Sequence, residues 1–355
     1  MTTFDNTPPV GTEAASPLGQ DVGDGAPAGL PAKKGKRKRK IALLLILALI
    51  FAAIVAYYLM NGRKSALIPG LTDTKLPHYE LSIYGAARPL GVAATPNGDR
   101  IYVTASDGDR LVHVYDKAGK AVGTLKPPKS TGSAHTPIYV AINPTTQDVY
   151  VSDRLATSIY IYDAEGKFLR TFAPKGSLGK FAPLALAFAP DGTLYASDVY
   201  DGTAKKQRIV SFAPDGTLLH SMGTPGQLNF PNGIAVDSHG DIEVSDSGNG
   251  RMVVFNVAGK MLTTISAGVG EGDLGLPKGA AIDDSGRLFI ADTTDHMVRV
   301  FTIGASGTAP AYVGSIGGEG QTDGTFEYPN GVATDKRAHI YITDRENNRV
   351  QVWGY

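Results

Sequence analysis

The sequence has no cysteine. That excludes disulfides, thiolate zinc sites, a cysteine nucleophile and a lipid-modified cysteine. Histidine is scarce, seven residues in 355, and the Gly-x-Ser-x-Gly elbow of serine hydrolases does not occur. A surplus of one charge sign is also missing, since 34 basic residues face 34 acidic ones. The distribution is uneven. Seven of the bases and four of the acids fall within residues 1–40, which leaves the rest of the chain at a net −3. A mildly acidic body with a basic leader argues against nucleic acid as a partner.

Long apolar runs are absent with one exception. Residues 41–60 read IALLLILALIFAAIVAYYLM, twenty positions without a charge. At about 1.5 Å per residue a helix of that length crosses a hydrocarbon core of roughly 30 Å. Tyr57 and Tyr58 stand where an interfacial aromatic belt belongs, and the basic run from Lys33 to Lys40 precedes the segment. The positive-inside rule keeps the amino end cytoplasmic. A cleaved signal peptide is the competing reading, but the forty-residue leader and the length of the run favour an uncleaved anchor. The expected organisation is a disordered cytoplasmic tail (1–40), a single transmembrane helix (41–60), a linker (61–78) and an outward domain (79–355) at the cell membrane.

Glycine (43) and proline (22) are abundant, which suits short strands and tight turns. From residue 79 onward one unit recurs. Its first mark is Pro-x-x-x-Ala, beginning at Pro89, Pro137, Pro183, Pro231, Pro277 and Pro329. A second mark, a small residue followed by Asp, lies about sixteen residues on, at Asp153, Asp198, Asp246, Asp292 and Asp344; the first unit is irregular there, with Ser106-Asp107 displaced. A third is an alternating strand ending in an aromatic, as in 251–255 or 349–353. Turns such as Pro190-Asp191-Gly192 separate them. Four antiparallel strands per unit and six units predict an all-β, six-bladed propeller. The sixth unit ends after its third strand, while 79–84 is an orphan strand at the start. The orphan is expected to close the ring as the missing fourth strand.

These residues resemble the NHL-repeat family of six-bladed propellers over about 79–355. The match is best in 317–349, with its Gly-rich loop, Tyr328-Pro329-Asn330-Gly331, and Asp344-x-x-x-Asn348-Arg349. A single anchor before such a propeller is similar to the outward sensor domains of certain bacterial receptor kinases, although no kinase is present.

Strand direction places the loops before the first strand and between the second and third strands on one end, the top, where the long loops fall. Long loops on a rigid scaffold are the usual place for binding. The recurrent Asp is read as a cap of its own loop, and Arg208, Arg251 and Arg349 as its partners. Arg154 and Arg345 break the repeat inside top loops, so they are the better ligand contacts. His296 is also on the top. Asn232 and Asn330 begin inner strands and join the candidate ligand- or partner-binding residues. Only His135 and His296 among the histidines map to the top, so the histidine metal site implied by a peptide-amidating lyase resemblance is not matched. No catalytic residue, metal ligand or obligatory cofactor is assigned. The expected function is a membrane-anchored binding or sensing module for a protein or small molecule. The alternative is a calcium-dependent hydrolase or lactonase, in which Asn232 and Asn330, with Glu271 or Glu319, would imitate the axial calcium site of gluconolactonase-like propellers.

Overall fold

The computed structural model describes residues 76–129, 135–200, 206–265 and 272–355. The predicted span 41–60 lies outside them, and among the described residues no helix is long and apolar enough to cross a membrane. The strands form six antiparallel sheets of four, each built from consecutive strands except the last. Their innermost strands are Pro89–Ala94, Pro137–Ile142, Pro183–Phe188, Pro231–Val236, Pro277–Ile282 and Pro329–Thr334. Each begins at the proline, the position in a strand where a missing N–H costs no ladder bond.

Second strands such as Ile242–Asp246 and Ile340–Asp344 are buried at every residue, because each blade is covered on both faces by its neighbours. Outer strands such as Leu218–Met222 are largely exposed. Six apolar clusters fill the six joints between blades; the joint between the fifth and sixth, for example, holds Phe289, Val298, Phe326 and Trp353. Fully burying one such side chain is worth roughly 1.5–3 kcal/mol.

The ring closes as the sequence predicts. His78–Tyr84 is the outer strand of the sixth blade and pairs with Arg349–Gly354, with Tyr79 opposite Trp353. It begins one residue before the expected 79. Tyr79 and Trp353 also meet edge to face at 6.2 Å.

A second device joins the blades. Each inner strand starts with an irregular step after its proline. In four blades the freed amide is satisfied by a hydroxyl of the blade's own second strand: Gly91 donates to Thr104, Tyr139 to Ser152, Ala185 to Ser197 and Gly331 to Thr343. Three of those hydroxyls donate onward to the next blade, Thr104 to the Ile138 carbonyl, Ser152 to that of Leu184 and Thr343 to that of Leu90. In the fourth and fifth blades Ser247 and Thr293 do this from the loop, bonding the carbonyls of Pro277 and Pro329. A Cβ at Gly233, Gly279 or Gly331 would strike the neighbouring inner strand's backbone.

Candidate functional site

The repeated Asp forms the base of the top end. Asp153, Asp198, Asp246, Asp292 and Asp344 are each at most 1% exposed. Each accepts backbone N–H groups from the loop that enters its own blade: Thr136, Ala182, Asn229, Gly275 with Leu276, and Glu327. Arg208, Arg251 and Arg349 donate through Nε to this carboxylate at 3.1, 2.8 and 2.7 Å, and through Nη2 to a carbonyl of the same loop. In the fifth blade Arg299, from two residues farther along, stands 3.6 Å from Asp292. The first blade has Ala105 at the end of its second strand, and Ser106 bonds the Arg88 carbonyl instead. These residues fasten loops.

The residues before the inner-strand prolines ring the mouth. Arg88, Phe230 and Tyr328 hold left-handed backbones, with φ of 44°, 54° and 55°. A non-glycine residue rarely adopts that conformation. Each is pinned by a side chain from the preceding blade: Asn348 accepts the Arg88 amide at 2.8 Å, Gln207 that of Phe230, and His296 Nδ1 that of Tyr328 at 3.3 Å. His296 also packs on the Tyr328 ring, centroids 4.6 Å apart. The structure therefore gives His296 a place in a blade joint.

Inside this ring lie the residues that follow each proline: Leu90, Ile138, Leu184, Asn232, Lys278 and Asn330. Three consecutive blades contribute apolar side chains and the next three contribute polar ones. Asn232 and Asn330 are buried, 5% and 3% exposed. Asn232 Oδ1 accepts a hydrogen bond from the Tyr139 hydroxyl at 3.2 Å, a contact from the second blade to the fourth. Tyr139 stands where four other blades have glycine, and burial drives its phenol above the ordinary range. Asn330 makes no side-chain hydrogen bond among the described residues.

Arg154 and Arg345 both reach this mouth. The Arg154 guanidinium, from a second-blade loop, lies 5.7 Å from the centroid of the Phe230 ring in the fourth blade. Arg345 Nη1 contacts Glu346 Oε1 at 2.9 Å, and Arg88 Nη2 reaches the same oxygen at 2.6 Å. Arg345 Nε is buried without a hydrogen-bond partner. Lys278 is half-buried, and burial first and the Arg345 charge second pull its ammonium below the usual lysine range. Arg154 thus lies against the fourth blade, Asn232 is bonded to Tyr139, Arg345 joins Arg88 at Glu346, and Lys278 lies near enough to Arg345 to feel its charge. Aligning the six units on their prolines would have exposed Lys278, because it replaces the Leu, Ile or Asn of its counterparts.

Among the described residues no group of three or more His, Asp or Glu has the arrangement to hold a metal ion. Glu271 lies outside the described residues, and Glu319 pairs through its backbone with Phe326. His135 sits beside Leu125, Pro127 and Tyr160 in the second blade, away from His296. A separate cavity of about 540 Å³ opens off the axis near Lys180, Tyr200 and Arg208.

The NHL repeat model matches residues 228–255 and 326–353, which carry the first three strands of the fourth and sixth blades. No curated protein matches the sequence. Similar solved structures include a streptogramin B lyase (TM-score 0.57, 11% identity, covering 78% of this chain and 98% of that one). Virginiamycin B lyase from Staphylococcus aureus is similar at TM-score 0.54 and 12% identity, over 75% of this chain and 94% of that one. A gluconolactonase-like protein gives TM-score 0.59 and 16% identity, over 81% and 93%. Likeness at these identities concerns the fold. The chain is a six-bladed β-propeller that carries NHL repeats.

Proposed function

We propose that this protein is a membrane-anchored, extracytoplasmic binding or sensing module that takes an anionic ligand or peptide at the long-loop mouth of its propeller. One observation supports the reading: Arg88 and Arg345 share Glu346, and Lys278 lies near enough to Arg345 for its charge to act. Three cations around one acid raise the local concentration of opposite charge. In this reading 41–60 is the anchor and 1–40 the cytoplasmic tail.

The test is photo-crosslinking of the full-length protein in cells. A photoreactive residue at Thr294, exposed in a top loop, should yield partner adducts that Arg154→Ala with Arg345→Ala removes. The same residue at Ser238, exposed in a turn on the opposite end, should yield none. Adducts from Ser238 alone would overturn the reading. Membrane anchoring is checked by resistance of the full chain to alkaline extraction.

A calcium-dependent hydrolase or lactonase is the second reading, with Asn232 and Asn330 among inner-strand residues in its favour. Against it, Lys278 occupies the blade between them, and calcium sites are built from oxygen ligands. The names of the similar lyases and of the gluconolactonase-like protein do not outweigh that lysine.

A further inference from the structure

We infer that the off-axis cavity of the third blade is a second binding site, separate from the mouth, and that it takes a small organic dicarboxylate. One carboxylate lies between Arg208 and Ser221, and the other meets Lys180 and Lys206.

The fifth and sixth blades each supply a carboxylate of their own at one recurring place. In the sixth, Asp323 Oδ1 stands 3.2 Å from Arg349 Nη1 and accepts a hydrogen bond from Ser82 Oγ at 3.1 Å. In the fifth, Asp295 pairs with Arg299, which also donates to Ser315 Oγ at 3.2 Å. Ser82 and Ser315 share a register on their outer strands, opposite Gln351 and Arg299, each two places into the third strand. Ser221 holds that register in the third blade, opposite Val210, and Arg208 stands where Arg349 does. Arg208 uses Nε on Asp198 and Nη2 on the Leu178 carbonyl, so its Nη1 corresponds to the nitrogen that Arg349 gives to Asp323. Among the described residues Asp198 is the only acid paired with Arg208. Where the sixth blade has Asp323, the third has the cavity of about 540 Å³, lined by Arg208 and Ser221 together.

Lys180 and Lys206 line the same cavity, and both come from loops that are longer here than elsewhere. Lys180 lies in 179–182, between the buried Leu178 and Pro183, where the next three blades have only 229–230, 275–276 and 327–328. Lys206 lies in 199–207, against 247–250 and 345–348 in the fourth and sixth blades. Arg251 of the fourth blade is as open as Arg208, 27% each, but the loops beside it, 223–230 and 247–250, contain no lysine. Three bases therefore face the cavity against one acid, Asp198, which is already engaged by Arg208 and by the amides of Ala182 and Tyr200. That excess suits a dianion, and a guanidinium matches a carboxylate in geometry as well as charge. The volume falls within the roughly 300–1,000 Å³ of small-molecule sites, which is room for an organic molecule rather than a bare ion. Tyr200, its ring centroid 5.4 Å from Lys180 Nζ, adds an apolar wall for the carbon chain between the two carboxylates.

The probes are glutarate, butyrate, which lacks one of its carboxylates, and inorganic sulfate, titrated against the full-length protein by ligand-observed NMR. Glutarate should bind with a millimolar or lower dissociation constant, about tenfold more tightly than butyrate. Lys180→Gln, at an exposed position, should remove that preference with the melting temperature unchanged. Ser221→Ala should weaken both acids alike, because its hydroxyl meets the carboxylate they share. Absence of glutarate binding up to about 10 mM, or an unchanged preference in Lys180→Gln, overturns the inference. Sulfate that binds more tightly than glutarate also overturns it and points to an inorganic anion. Arg154→Ala with Arg345→Ala, at the mouth, should leave glutarate binding intact; loss of binding there would move the ligand to the mouth and overturn the second site. The cross-linking test reads other residues, so the mouth and this cavity can fail separately.

Discussion

Tyr139 and Asn232, on the inner strands of the second and fourth blades, are bonded to each other past the third blade, hydroxyl to amide oxygen at 3.2 Å. The bond ties the second blade directly to the fourth. Both groups are buried, so each depends on the other for its hydrogen bond.

Tyr139→Phe should therefore cost about 1–3 kcal/mol, the penalty for a buried acceptor left unmet. Changing Asn232 to Leu as well should recover part of that loss, because no orphan remains. Thermal melts of the single and double variants check this. A single variant as stable as the parent would mean that solvent reaches Asn232.

Repeated and unrepeated arginine contacts should behave oppositely. Asp344→Ala removes the buried carboxylate from Arg349, itself 3% exposed, and leaves that cation only the exposed Asp323, at a cost of about 3–5 kcal/mol. Arg154→Ala, at an exposed side chain, should stay within about 0.5 kcal/mol. Chemical denaturation ranks the two, and equal losses would contradict the separation of clamp from ligand contact.

Glu243 supplies a pH signature. It is 1% exposed and its Oε2 has no partner, and burial followed by the charge of Asp237 raises its carboxyl to about 9. Asp241 adds to the repulsion, while His239 is bonded to Asp237. A raised carboxyl favours the protonated fold. Its contribution is therefore complete below the ordinary 4.5 and is lost as pH climbs towards about 9. Glu243→Gln should flatten that decline and raise the melting temperature by about 2–4 °C near pH 8. A parent protein whose melting temperature rises between pH 5 and 9, with no change in the variant's slope, would contradict this assignment.

The closing strand should be indispensable. Ile83 is 3% exposed and packs with Val350 and Val352 of the last blade and Val103 of the first. Ile83→Ala should cost about 2–5 kcal/mol, and removing residues up to 84 should leave the 349–354 strand as an open edge. Light scattering on the truncated protein should then show association. A monomeric truncated protein with an unchanged melting temperature would refute the closure.

The architecture was legible because its signals are local. A proline at a strand start and a glycine in a turn each act within a few residues, and repetition multiplied them; the Asp, repeated in five blades, recurs as regularly although it reaches back across its blade to the entering loop. The orphan strand could be matched by counting strands. The site was only half legible. Arg154 and Arg345 stood out as departures from the repeat, but Tyr139–Asn232 and Arg154–Phe230 join alternate blades, and no local pattern encodes such a span. Lys278 stands at the same inner-strand register as Asn232 and Asn330, and only an alignment of the six prolines sets its charge apart from them. Burial is equally hidden in the sequence: Ser247 lies in a top loop, yet it is buried and bonded to the Pro277 carbonyl.

Closure by His78–Tyr84 also has a consequence in time. The ribosome makes this strand first, yet its partner, Arg349–Gly354, is the last part of the chain described. About 270 residues separate the two, so at roughly 5–20 residues per second the strand waits some 15 s to a minute before a mate exists. During that interval the other blades can form from their own consecutive strands, but the ring stays unsealed. A chain stalled or terminated before Arg349 leaves His78–Tyr84 without its mate and able to pair with a second nascent copy. Translation speed through all six blades thus sets how long the molecule is open to its siblings.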